Sequence, residues 1–151
     1  MIIPGHFSDN PDTDLLFYGR ASGTGEFYGT NGSFSLIGSN PDWRQDWTII
    51  IPGHFSDSPY TDPLFYDAST GTGDFWRTGG HGNVSQIGVS NTNWNRDWTM
   101  IIPGRFSDGP YTDLLRHGRV LANRWGRQRL ADHQLHGLEA ELEHHHCAGA
   151  R

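Results

Sequence analysis

The 151-residue sequence contains no lysine. Its 11 cationic side chains are all Arg, against 17 Asp and Glu, for a net charge of −6. That balance provides no basic footprint for a nucleic-acid backbone, so nucleic acid drops out as a partner. A single cysteine, Cys147, excludes an internal disulfide and leaves the redox compartment open. No apolar run approaches the length that spans a bilayer, and the opening MIIPGHF lacks the charged and apolar regions of a signal peptide. Residues 1–115 show no helical periodicity. Hydrophobic content is low at 34%, but 8 Phe, 6 Trp, 5 Tyr and 20 Gly point to a turn-rich β protein of one-domain size, not a disordered polar chain.

Repetition dominates what is present. IIPGHF begins at residues 2 and 50, and IIPGRF at 101. Between these starts the order is constant: an SD turn, TDLLFY or TDPLFY, GTGEFY or GTGDFW, a Gly/Asn turn, then FSLIG or VSQIG. Each period closes on Trp43-Arg-Gln-Asp-Trp47 or Trp94-Asn-Arg-Asp-Trp98. Four short strands are predicted per unit, in the second over 49–51, 62–66, 74–77 and 84–87, with turn-rich segments between them. Phe34 and Leu36 alternate with Ser33 and Ser35, the two-residue period of a half-buried strand. Four strands in about 40–50 residues is the arithmetic of a β-propeller blade. A β-sandwich or trefoil-like arrangement is the alternative, but does not require so regular a long repeat. The expected fold is therefore all-β, with about two and a third propeller-type blades over 1–48, 49–99 and a partial 100–115.

The segments PGHFSDNPDTDLLFY, PGHFSDSPYTDPLFY and PGRFSDGPYTDLLRH resemble FG-GAP/VCBS-type propeller repeats, whose motif runs Gly-Asp-Phe-Asn-Gly-Asp-Gly-x-x-Asp-Leu. The resemblance implies a calcium-binding acidic loop between strands, and a role at the cell surface or outside it in adhesion, carbohydrate binding or scaffolding. The family's ligand positions fall on His6, Ser8, Asn10 and Asp14 in the first loop. In the second they fall on His54, Ser56, Ser58 and Asp62, and in the third on Arg105, Ser107, Gly109 and Asp113. Only the last position of each loop keeps its carboxylate, while Asp9, Asp57 and Asp108 stand as alternative ligands where the family has Gly. Calcium wants six or more oxygen ligands. The competing reading is that Asp and Ser hydrogen-bond their own turn backbone.

Two further groups are candidates for ligand binding. Trp43, Arg44 and Trp47, and Trp94, Arg96 and Trp98, with Tyr60 and Tyr111, would form aromatic and Arg shelves between blades, suited to a glycan or a protein ligand. Alternatively, repeated Trp pack between neighbouring blades, because stacked repeats bury one another's faces. His54 and Asp57 have no Ser or Cys nucleophile at a fixed offset, and Arg105 replaces the His in the next unit, so an enzyme is not expected. Since a propeller generally needs four blades to close, a homo-oligomer completing a ring is an expected state.

Composition changes after residue 115. Residues 116–151 hold one aromatic, Trp125, with 6 Arg against 4 acids. Leu135, Leu138 and Leu142 have helical spacing, so the tail reads as helical or disordered. A shifted reading frame explains more. Displaced by one base from Leu114 to Asp132, the genetic code permits FYDTGEFWRTGGDGNVSQI, whose last thirteen positions match FWRTGGHGNVSQI of the second repeat at twelve. Met1 also aligns with Met100. The expectation is a fragment of a longer array with an out-of-frame tail.

Overall fold

The computed structural model describes residues 1–116 and 119–121. It is all-β. Blade 1 is an antiparallel sheet of β1 (Ile2–Gly5), β2 (Asp14–Gly19), β3 (Thr24–Gly29) and β4 (Ser35–Asn40), in the order β1-β2-β3-β4. Blade 2 repeats the plan with β5 (Ile49–Gly53), β6 (Asp62–Asp67), β7 (Thr72–Thr78) and β8 (Val84–Gln86). A third sheet holds β9 (Ile102–Gly104), β10 (Asp113–Arg116) and β11 (Arg119–Leu121) in the order β11-β10-β9. The strands of the first two sheets lie in chain order, as in a meander. Strand pairing continues past residue 115, where the sequence reading ended the repeats, because Arg119–Leu121 pairs with β10. The helical, disordered or out-of-frame reading of 122–151 lies outside the described residues.

The IIPG strands lie at one edge of each sheet, the place where a proline without an N–H is tolerated. β1 lies beside β5, and β5 beside β9, so the three sheets stack through these edges. Side chains alternate between two faces, and the pairings Ile2↔Phe17 and Ile3↔Leu16 assign them. Ile2 and Phe17 belong to a front face, and Ile3 and Leu16 to a back face.

The back of blade 1 (Ile3, Phe7, Leu16, Tyr18, Phe27) and the front of blade 2 (Ile50, Phe65) form one core with Trp43 and Trp47. The back of blade 2 (Ile51, Phe55, Leu64, Tyr66) and the front of blade 3 (Ile101, Leu114) form a second with Trp94 and Trp98. The hydrophobic core is thus two seams between blades. Blade 2, covered on both faces, buries every residue of β6, whereas in blade 1 the equivalent β2 alternates between buried and half-buried. Phe34 and Leu36, expected half-buried, are 58% and 55% exposed. The expected alternation is absent, since residues 33–36 are all exposed; Leu36 pairs with Tyr28 on the front face, which no other sheet covers among the described residues.

Candidate functional site

Each blade begins with a loop tied down by one aspartate. Asp14 Oδ2 accepts hydrogen bonds from the Phe7 N–H (2.9 Å) and the Ser8 hydroxyl (2.8 Å). Asp62 Oδ2 accepts from the Phe55 and Ser56 N–H groups (3.0 and 2.7 Å), and its Oδ1 from the Thr78 N–H (2.9 Å). Asp113 Oδ2 accepts from the Phe106 and Ser107 N–H groups (2.9 and 2.7 Å). All three carboxylates are buried. Burial pushes the Asp62 carboxyl above its ordinary 3.8, and the hydrogen bonds from Thr78, Ser56 and Phe55 offset only part of that rise.

Those bonds decide how the loops fit calcium. Instead of a cation, the Oδ2 of each of these aspartates and the Oδ1 of Asp62 face N–H and O–H donors, whose positive ends occupy the same lone pairs, whereas among the described residues Asp14 Oδ1 is buried without a hydrogen-bond partner. Asp9 and Asp57 are exposed and engaged elsewhere: Asp9 accepts from the Tyr60 hydroxyl and lies 3.4 Å from His81 Nε2, while Asp57 pairs with Arg77 at 3.2 Å. Asp108 is exposed. Among the described residues, no three His, Cys, Asp or Glu side chains are grouped to hold a metal ion. The residues present do not fit the family's cation. Excess EDTA is expected to leave the melting temperature unchanged; a chelator-induced fall reversed by added calcium would overturn this.

Two of the four linker tryptophans, Trp43 and Trp94, are placed by glycine. A Cβ on Gly25 would lie 1.9 Å from the Trp43 ring, and one on Gly73 would lie 2.6 Å from that of Trp94. The preceding Gly23 and Gly71 have φ of 68° and 71°, and their carbonyls accept the Trp43 and Trp94 N–H groups (2.9 and 3.0 Å). The Tyr18 and Tyr66 hydroxyls close the linkers from the other side, donating to the carbonyls of Arg44 and Asn95 (2.5 and 2.6 Å). The GTG phrase is thus the seat of the next Trp-x-x-Asp-Trp linker. Sequence reasoning missed that role, although the two phrases recur together in both units.

Seated in this way, Trp43 meets Phe27 and Tyr18 of its own blade and Phe65 and Trp76 of the next, with ring centroids 4.7–6.4 Å apart. Trp94 and Trp98 pack on Tyr66 and on each other. Trp43, Trp47, Trp94 and Trp98 are 7%, 2%, 8% and 3% exposed, which leaves little ring surface for a sugar to stack on. Of the two readings of these residues, the structure has them packing between blades. Arg44 stays exposed, its guanidinium 4.5 Å from the Trp47 ring centre and 3.0 Å from the buried Asp67 carboxylate. Burial opposes the Asp67 charge, but bonds from Thr70 and Ser69 and the Arg44 cation outweigh it and lower the carboxyl's pKa.

Tyr60 is not part of this group. It lies in the β5–β6 loop, beyond the opposite end of β5 from the Trp43–Trp47 linker. Its bond to Asp9, together with burial and the Asp9 charge, pushes the phenol above its ordinary 10.0. Arg96 is exposed and Tyr111 half-buried.

The surface that sequence reasoning passed over is the open front of blade 1. Ile2 is 63% exposed, although its equivalents Ile50 and Ile101 are 8% and 7%. Beside it Phe17, Tyr28 and Phe34 form an aromatic trio, with Tyr28 and Phe34 stacked at 4.5 Å. A groove of about 360 Å³ is lined by Ile2, Phe17, Tyr18, Thr24 and Glu26 among others. The corresponding positions of blade 2 include Ile50 and Phe65, which lie in a seam with Trp43 and Trp47. Neither the known protein-family models nor the curated proteins match this chain.

Proposed function

We propose that this chain is a non-enzymatic repeat module of β-propeller type, built like the FG-GAP/VCBS repeats it resembles, that binds protein through the faces of its blades. The observation that carries the reading is the contrast between equivalent positions, with Ile2 63% exposed and Ile50 8%. A face that is solvated in blade 1 is a packed seam in blade 2, so its chemistry suits another sheet. An apolar face of this kind marks an interaction surface. Protein is favoured over carbohydrate because the open aromatics stack on one another and are flanked by Ile2 and Leu36, with Glu26 hydrogen-bonded to Tyr28. The family resemblance puts such a module at the cell surface or outside the cell. A purely structural role, scaffolding a neighbouring domain, would use the same face.

A glycan array probed with the intact chain tests the choice of ligand class. No glycan is expected to bind above background. Saturable binding that Phe34→Ala abolishes would move the assignment to carbohydrate.

A further inference from the structure

The two internal seams share a double hydrogen bond besides their apolar contacts. The His6 N–H donates to Thr61 Oγ1 (2.8 Å), and the Thr61 N–H donates back to the His6 carbonyl (2.7 Å). One blade on, His54 and Thr112 make the same pair at 2.8 and 2.7 Å. Each clip joins the loop after an IIPG strand to the Thr that opens the second strand of the next blade. Only backbone atoms are used on the loop side, so Arg105 in place of His keeps the same donor and acceptor.

The series has two unused halves. Thr13 opens β2 of blade 1 and is exposed, and among the described residues its N–H and hydroxyl take no such partner. Arg105 follows the third IIPG strand, and among the described residues its backbone makes no such bond. The apolar surfaces run in parallel. Ile102 and Phe106, on the back of blade 3, are 43% and 42% exposed, whereas Ile3 and Ile51 are each 4% and Phe7 and Phe55 are 0% and 1%. Among the described residues, the front of blade 1 is a receiving face without a donor, and the back of blade 3 a donating face without a receiver.

We infer that copies of this chain associate head to tail, the back of blade 3 in one copy seating on the front of blade 1 in the next. The inference rests on the protein-binding reading above and names the partner. The chain itself supplies the argument, because the same two faces already meet twice within it, with the same clip at the same distances. The contact is heterologous, so it builds rings or open filaments and not a two-fold dimer.

The test uses complementary defects, followed by size-exclusion chromatography with light scattering. A head-blocked chain carries Ile2→Asp and Phe17→Asp; a tail-blocked chain carries Ile102→Asp and Phe106→Asp. The wild type is expected to associate, and each variant alone to run as a monomer. An equimolar mixture is expected to give a one-to-one dimer and nothing larger, because each variant keeps the face the other lacks. Thr13→Arg, which obstructs the clip without touching apolar surface, is expected to weaken wild-type association by about tenfold or more, the worth of two neutral hydrogen bonds. Near-ultraviolet circular dichroism of the tryptophans checks that each variant is folded. A monomeric wild type, variants that still self-associate, or folded variants that do not pair on mixing would overturn head-to-tail association. None of these results touches the protein-binding reading, which falls only if the glycan array is positive.

Discussion

Gly25→Ala is expected to destabilise the fold by about 3 kcal/mol, the range of removing a large aromatic from a packed core. The added methyl would lie 1.9 Å from the Trp43 ring, closer than any two unbonded carbons can approach. The indole cannot retreat, because Phe65 and Trp76 of the next blade lie 4.7 and 5.9 Å away between ring centres. It must leave the seam, and both blades lose their shared filling. Gly32→Ala is the control. Gly32 has φ +65° with nothing within 4 Å of an added Cβ, so only backbone strain of about 1 kcal/mol is expected. Urea midpoints from tryptophan fluorescence, at one fixed protein concentration because association shifts apparent stability, make the comparison. If Gly25→Ala unfolds no earlier than Gly32→Ala, the glycine is not the seat of the tryptophan.

Asp62→Ala should cost about 4 kcal/mol, because the buried N–H groups of Phe55, Ser56 and Thr78 all lose their acceptor. Asn does not rescue it fully, since donors approach both carboxylate oxygens and one would meet an amide NH₂. Asp57→Ala lies in the same loop but breaks only an exposed pair with Arg77, and is expected within about 0.5 kcal/mol of wild type. Acid sharpens the test. Burial holds the folded Asp62 pKa above the ordinary 3.8, so between these two values the folded state binds more protons than the unfolded. Stability from this group therefore rises as pH falls through the folded value. The gap between wild type and Asp62→Ala should widen over that window. A gap that narrows there would mean the carboxylate is stabilised by its charge, as at a cation site.

Much of the fold was legible because the repeat writes it twice. The period, the four strands per unit and the turn chemistry between them all follow from local residue patterns. So does the aspartate of each TD phrase, whose reading as a turn clamp needs only its short reach to the backbone. The seat of the linker tryptophans was less visible. Gly25 and Trp43 are 18 residues apart, and nothing local shows that a glycine in a strand is making room for a ring. The open front of blade 1 was not legible at all. Ile2 and Ile50 begin identical hexapeptides, yet one is solvated and the other is part of a core.

By itself the sequence determined that the chain is all-β and that its unit is a four-stranded sheet. Those properties depend on backbone propensity and a two-residue period, and neither needs a neighbour. Only the tertiary structure decided what each face is for. TDLLFY in blade 1 and TDPLFY in blade 2 form the same strand, but the first has one covered face and the second has two. The hydrophobic effect acts on area removed from water, and that area belongs to a pair of surfaces. A position's burial is therefore set by the sheet stacked against it, and without one the same residue is solvated, as Ile2 is and Ile50 is not.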